Sequence, residues 1–244
     1  MALFFIAAAS RALAVPVHFE STDGIRIAAD YTAAGTRRGP VFILLHGLGA
    51  GRGEWRVFQA TLAARGYGSL ALDARGHGES GGASYRTFAS SAAWIAIEKD
   101  LDAAVGFLAR RGVTEERIVL AGASIGANLC LHAAARRAVV PFVILLSPGI
   151  NYQGVYLEPS ARKFRRPIVA AAARDDPYAY KTLFLLHDWA RGRQSALLSA
   201  RSGHGVGLLE GAGNQEFFGE LMRRIDRLVR TSSSAGPAGR RASP

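Results

Sequence analysis

Arg117-Ile118-Val119-Leu120-Ala121 is an apolar run of strand length that leads directly into Gly122-Ala123-Ser124-Ile125-Gly126, and then into the helix-like stretch Ala127 to Arg137. A short continuous apolar run is what a strand buried on both faces requires, and a helix that follows at once demands a sharp turn. Small residues at such a turn let the strand and helix backbones approach, while the serine at its centre is held out from the sheet. The segment predicts a strand, turn and helix with a hydroxyl at the apex.

The same unit recurs on both sides of this segment. Upstream, after Gly39-Pro40, Val41 to Leu45 reads as a buried strand ending at His46-Gly47-Leu48-Gly49. A helical segment from about Trp55 to Arg65 and the break Gly66-Tyr67-Gly68 lead to a second short strand, Ser69 to Leu72, which ends at Asp73. From Ala92 to Arg111, residues Trp94, Ile97, Leu101, Val105 and Leu108 recur at spacings of three and four, which predicts one long helix stopped at Gly112. Downstream, strands are predicted at Phe142 to Ser147, Pro167 to Ala173 and Gln194 to Ala200, and helices at Ala179 to Arg191 and Asn214 to Arg230. Val15 to Ser21 and Ile25 to Tyr31 alternate partially on either side of Thr22-Asp23-Gly24, the pattern of an antiparallel hairpin. The fold class is therefore α/β: a mostly parallel eight-stranded sheet with helices on both faces and reactive groups in the loops at the carboxyl ends of its strands. The stretch from Ser147 to Pro167 carries Pro148, Gly149, Gly154 and Pro159 and is too short for a large cap.

A chain of 244 residues needs only one folding unit, here residues 15–230. Its net charge of +11 comes from arginines dispersed in pairs such as Arg110-Arg111 and Arg136-Arg137, a pattern of solvated faces that points to no specific nucleic-acid partner. Cys130 is the only cysteine, so an intrachain disulfide is excluded, and the six histidines lack metal-ligand spacing. Neither Gly47 to Gly53 nor Gly76 to Gly82 has the arrangement of a phosphate loop or a dinucleotide fingerprint, so no cofactor and no metal are expected. No run approaches the roughly 20 apolar residues of a spanning helix. Residues 1–14, with apolar Leu3 to Ala9 and Ala12-Leu13-Ala14, read as an export signal or an N-terminal extension, which leaves both a cytoplasmic and an exported location open. Residues 231–244 read as a disordered tail.

A serine hydroxyl is a poor nucleophile near neutral pH without a base to take its proton. His204, between Gly203 and Gly205 after the last strand, can serve Ser124 in this way. The base in turn needs a carboxylate to hold its tautomer, and both Asp175 and Asp176 stand in the loop after Ala173. The chain order is serine, aspartate, histidine.

On these residues the chain resembles the α/β-hydrolase superfamily over nearly its whole length, and most closely its small, nearly capless serine esterases and dienelactone-hydrolase-like members. His46 to Gly49 is similar to the family's oxyanion loop, Gly122 to Gly126 to its nucleophile elbow, and Asp73-Ala74-Arg75-Gly76-His77-Gly78-Glu79-Ser80 to its Asp-x-Arg-Gly-His-Gly-x-Ser turn. The family's acid commonly precedes a proline in Gly-x-x-Asp-Pro. The resemblance thus implies Asp176 in Ala173-Arg174-Asp175-Asp176-Pro177, with Ala173 departing from the usual glycine. Dienelactone hydrolases proper use a cysteine where this chain has Ser124, so their own reaction is not implied.

The backbone N–H groups of Leu48 and Ile125 are the expected oxyanion donors. Asn151, Tyr152 and Tyr156 are expected to line an open acyl entrance, His46 and His77 to be structural, and Cys130 to be buried packing. The implied activity is hydrolysis of small carboxylic esters through an acyl-enzyme intermediate. Thioesters and lysophospholipids are substrates of the same chemistry, and a non-catalytic binding protein on this fold is the reading from another class.

Overall fold

The computed structural model describes residues 14–137, 139–190, 195–211 and 213–234. Strands β1 (Val15–Glu20) and β2 (Arg26–Thr32) form the antiparallel hairpin, in register Val15 with Tyr31. They are followed by β3 (Val41–Leu45), a 3₁₀ turn at Arg52–Trp55, helix α1 (Arg56–Ala63) and β4 (Gly68–Leu72). Next come α2 (Ser91–Ile95), α3 (Glu98–Ala109), β5 (Ile118–Ala123), α4 (Ile125–Ala135) and β6 (Val143–Leu146). The remainder comprises a two-stranded hairpin, β7 (Asn151–Tyr152) and β8 (Val155–Tyr156), then α5 (Glu158–Lys163), β9 (Ile168–Ala173), α6 (Pro177–Trp189), β10 (Ala196–Ala200) and α7 (Gln215–Ser234).

The main sheet has eight strands in the order β1-β2-β4-β3-β5-β6-β9-β10, antiparallel only at β1, β2 and the β2–β4 junction. Every residue of β3, β4, β5, β6 and β9 is buried, as continuous apolar runs require of strands covered on both faces. The strand period of two divides their side chains between two cores. Ile43 and Leu45 join Leu101, Leu129 and Leu183 of α3, α4 and α6 on one face. Phe42 and Leu44 join Phe58 of α1 and Leu221 and Ile225 of α7 on the other.

Two features differ from the sequence-based expectation in detail, and the short link without a large cap agrees with it. The helix predicted from Ala92 to Arg111 is two helices, because tight bonds from Ile97 N–H to Trp94 O and from Asp100 N–H to Ile97 O reset the chain between them. Trp94, Ile97, Leu101, Val105 and Leu108 are nevertheless all buried, so the apolar stripe continues through a break that it cannot reveal. The stretch from Ser147 to Pro167 folds as the β7–β8 hairpin and α5, leaving no obvious large cap. Helix α7 runs to Ser234, four residues into the segment read as a tail; residues 1–13 and 235–244 lie outside the described residues. Among the described residues no helix is long and apolar enough to cross a membrane.

The turn after β4 is fixed by charge. The Arg75 guanidinium donates to Asp100 at 2.9 and 2.7 Å and to Asp23 at 2.8 and 3.0 Å, while Arg75 N–H donates to Asp100 at 2.8 Å. Asp100 is fully buried, and burial pushes its carboxyl up from the ordinary value against the pull of Arg75. Asp73 accepts from Arg52 N–H and Glu79 N–H and pairs with the Arg52 guanidinium. A Cβ at Gly78 would come within 2.1 Å of the Asp73 carboxylate, so this turn has no space for a side chain there. Removing one partner of a buried ion pair leaves an uncompensated charge and costs about 3–5 kcal/mol. Arg75→Met is therefore expected to lower the urea unfolding free energy by that amount. Arg75→Met/Asp100→Leu is expected to recover much of the loss, and equal destabilisation in both proteins would contradict the pairing.

Candidate active site

Ser124 sits between β5 and α4 with φ 54° and ψ −124°, a left-handed conformation rarely adopted by residues other than glycine. Close packing enforces it. A Cβ at Gly122 would lie 2.1 Å from Gly126 O, and one at Gly126 would lie 2.4 Å from His46 O and 2.6 Å from Leu45 O. The strand, the helix and the loop after β3 therefore meet backbone to backbone. The loop runs directly beside the serine, since a Cβ at Gly47 would be 3.2 Å from Ser124 Cβ.

At the C-terminal end of β9, Asp176 caps α6: its Oδ1 accepts from Ala179 N–H at 3.2 Å. Its Oδ2 stands 2.6 Å from His204 Nδ1. The two aspartates thereby separate by geometry, because the Asp175 carboxylate instead accepts from Gly203 N–H at 3.0 and 3.3 Å and holds the loop rather than the ring. His204 lies between Gly203 (φ 106°) and Gly205 (φ 57°), and its side chain is about half exposed. On its other side, Gly205 N–H donates to Ser147 Oγ at 2.9 Å. Ser147 is fully buried, with φ 50°, at the end of β6.

The loop after β3 has two supports. His46 Nε2 accepts from Ala74 N–H at 2.9 Å, which leaves the proton on Nδ1 to be donated to Gly47 O at 2.7 Å. Burial holds the His46 ring neutral, with its pKa lowered to about 4. Gly47 N–H donates to Glu54 Oε1 at 3.3 Å. Burial, aided by the Glu210 charge, pushes the Glu54 carboxyl up to about 7 although His204 pulls it down. Among the described residues, the N–H groups of Leu48 and Ile125 have no protein acceptor.

Of the three expected entrance residues, Tyr152 is brought near the serine: its phenol donates to Ser147 O at 3.3 Å, and the Ser124 hydroxyl is close enough to act on its ionisation. Burial first, and the Asp176 charge second, push that phenol up to about 12, so it stays protonated. Asn151 is tied through its backbone to Tyr178, whose hydroxyl accepts from Asn151 N–H and donates to Asn151 O. The Asn151 Oδ1 is buried without a partner among the described residues. Tyr156, opposite Asn151 in the hairpin, is 58% exposed. His77 stacks on Tyr85 at 4.2 Å and donates to Arg75 O, and Cys130 is fully buried with its thiol pushed up by burial. Among the described residues no group of three or more histidine, cysteine, aspartate or glutamate side chains is arranged to hold a metal.

Two residues of the site, Glu54 and Ser147, escape sequence reading. Glu54 is a lone carboxylate before a tryptophan, and Ser147 looks like an ordinary strand end. The one sequence signal at Ser147 is a polar residue closing an apolar run just before Pro148-Gly149.

The family model described as serine aminopeptidase, S33, matches residues 36–184, more than half of the chain. Among solved structures, that of the Pyrococcus furiosus esterase Pf2001 is similar at 18% identity, covering 90% of this chain and 91% of that one with a TM-score of 0.72. DcsB in complex with its substrate analogue is similar at 13% identity, covering 91% and 99% with a TM-score of 0.75. An Exiguobacterium antarcticum esterase is similar at 13% identity, covering 88% and 100% with a TM-score of 0.68. At these identities the likeness is one of fold. No curated protein sequence matches.

The buried His46 and Glu54 make stability depend on pH with opposite signs. His46 is protonated near pH 6.5 when unfolded and near 4 when folded, so its contribution is present above about 6.5 and is lost as pH falls toward 4, in total about 3 kcal/mol. Glu54, raised to about 7, contributes stability below about 4.5 that is lost as pH rises through 7. In Glu54→Gln protein the urea unfolding free energy is thus expected to fall as pH drops from 6.5 to 4, while the His46 NMR resonances remain those of a neutral ring until near pH 4. A His46 ring that titrates near 6.5 would contradict this.

Proposed function

The chain belongs to the serine aminopeptidase S33 family of α/β hydrolases, and from that premise we propose that it is a serine hydrolase of small carboxylic esters, with Ser124 as nucleophile, His204 as base and Asp176 as the acid that orients it. The observation that carries the reading is the 2.6 Å contact between His204 Nδ1 and Asp176 Oδ2, made by an aspartate whose other oxygen is held in a helix cap. A carboxylate on Nδ1 fixes the tautomer that leaves Nε2 free to accept a proton.

In the proposed reaction Ser124 Oγ attacks the ester carbonyl carbon and its proton passes to His204 Nε2. The charge that develops on the carbonyl oxygen is met by the N–H groups of Leu48 and Ile125, which have no protein acceptor among the described residues. The ester C–O bond breaks as the imidazolium returns the proton to the departing alcohol. Water, deprotonated by the same histidine, then attacks the acyl-serine and releases the carboxylic acid. Small esters are favoured over longer or bulkier ones because the link from Ser147 to Pro167 holds only the short β7–β8 hairpin and α5 and no large cap, and Tyr152 lies near the nucleophile.

The test is turnover of p-nitrophenyl esters, thioesters and lysolipids by wild-type and variant proteins. Ser124→Ala is expected to abolish hydrolysis with the fold intact. Asp176→Asn is expected to lower kcat by roughly 10³- to 10⁴-fold, and Asp175→Asn far less. Each CH₂ held against protein adds about 0.8 kcal/mol, so kcat/KM is expected to rise over short acyl chains and then level once methylenes reach solvent. Retained activity in Ser124→Ala, or a larger loss in Asp175→Asn than in Asp176→Asn, would contradict the assignment. Specificity that climbs steadily to palmitoyl esters would contradict the open entrance.

A further inference from the structure

The open edge of the sheet carries an arrangement that hydrolysis does not use. Strands β9 and β10 run parallel in register Ala173 with Ala200, so the next residues, Arg174 and Arg201, leave the sheet side by side. Like charges at directly paired positions repel each other and destabilise a sheet. Both arginines are exposed, and among the described residues neither has a carboxylate partner. The nearest candidate in sequence, Asp175, is engaged by Gly203 N–H.

Both arginines line a cavity of about 640 Å³ between this edge and α7, within the size range of small-molecule pockets. Its lining includes neither Ser124, Asp176 nor His204. Arg223 completes the basic side, already held by Glu220, which also binds Arg224. Glu216 is the remaining acid, so three guanidinium groups face two carboxylates and one positive charge is left over. The floor is apolar, with Phe217 only 8% exposed and Leu198 half-buried.

The geometry points to a binding site for a small organic monoanion, a carboxylate with an apolar body, held by Arg174 and Arg201 at its charged end and by Phe217 and Leu198 along its length. A carboxylate accepts from guanidinium groups in a planar, charge-assisted arrangement and would relieve the repulsion between the two arginines. One net positive charge suits one carboxylate better than a dianion.

Calorimetric titration of the full chain with 4-phenylbutyrate, and separately with inorganic phosphate, at low ionic strength tests this. Wild-type protein is expected to bind 4-phenylbutyrate saturably at one site and phosphate much more weakly. Arg174→Gln/Arg201→Gln is expected to weaken 4-phenylbutyrate at least about tenfold, with unchanged circular dichroism and no fall in Tm, because the substitution removes a like-charge pair. Glu216→Gln is expected to tighten it. Equal affinity in the double variant, as binding at Ser124 would give, overturns the proposal. So does phosphate bound as tightly as 4-phenylbutyrate, or no saturable binding to wild-type protein.

Discussion

The structure depends on a steric constraint at the centre of the sheet: β5, α4 and the loop after β3 come together with backbone against backbone. Gly122 and Gly126 have no space for a Cβ, and the atoms that would be struck are all main-chain atoms, which cannot swing aside as a side chain could. This contact forces Ser124 into a left-handed conformation and brings Gly47 against it. The Ser124 hydroxyl is thus held at the turn by main-chain packing, the arrangement on which the proposed reaction relies.

Around this rigid centre the polar groups are divided by task. One aspartate oxygen caps α6 and the other holds the His204 ring, while the adjacent Asp175 and the buried Ser147 hold the backbone on either side of the histidine. His46 and Glu54 do the same for the loop after β3. Both of these supports are buried enough to resist charging, His46 staying neutral and Glu54 pushed up to about 7. The site consequently gathers one half-exposed histidine and a set of groups whose ionisation burial disfavours.

What the sequence made legible follows from where one-dimensional pattern is sufficient. Continuous apolar runs identified β3, β4, β5, β6 and β9 because strands covered on both faces have no alternative pattern, and the elbow was legible because its small residues are contiguous. The aspartate and histidine were readable as residues in loops after strands. The break between α2 and α3 was not, since both helices turn the same apolar stripe inward. Glu54 and Ser147 were hidden for a different reason. Glu54 accepts from an N–H in the neighbouring loop and Ser147 from one far along the chain, and nothing in a serine or glutamate records which N–H it will accept from. The pairing of Arg174 with Arg201 likewise exists only once the register of β9 and β10 is known.

The central claim is that Ser124, activated by His204, is the nucleophile. Its most direct test is to treat the folded protein with a fluorophosphonate and locate the adduct by mass spectrometry of its peptides, with His204→Gln protein alongside. A single adduct on Ser124, formed orders of magnitude more slowly in His204→Gln, is the expected result. No adduct on the wild-type protein, an adduct on another residue, or labelling of Ser124 at the same rate without the histidine would contradict the account.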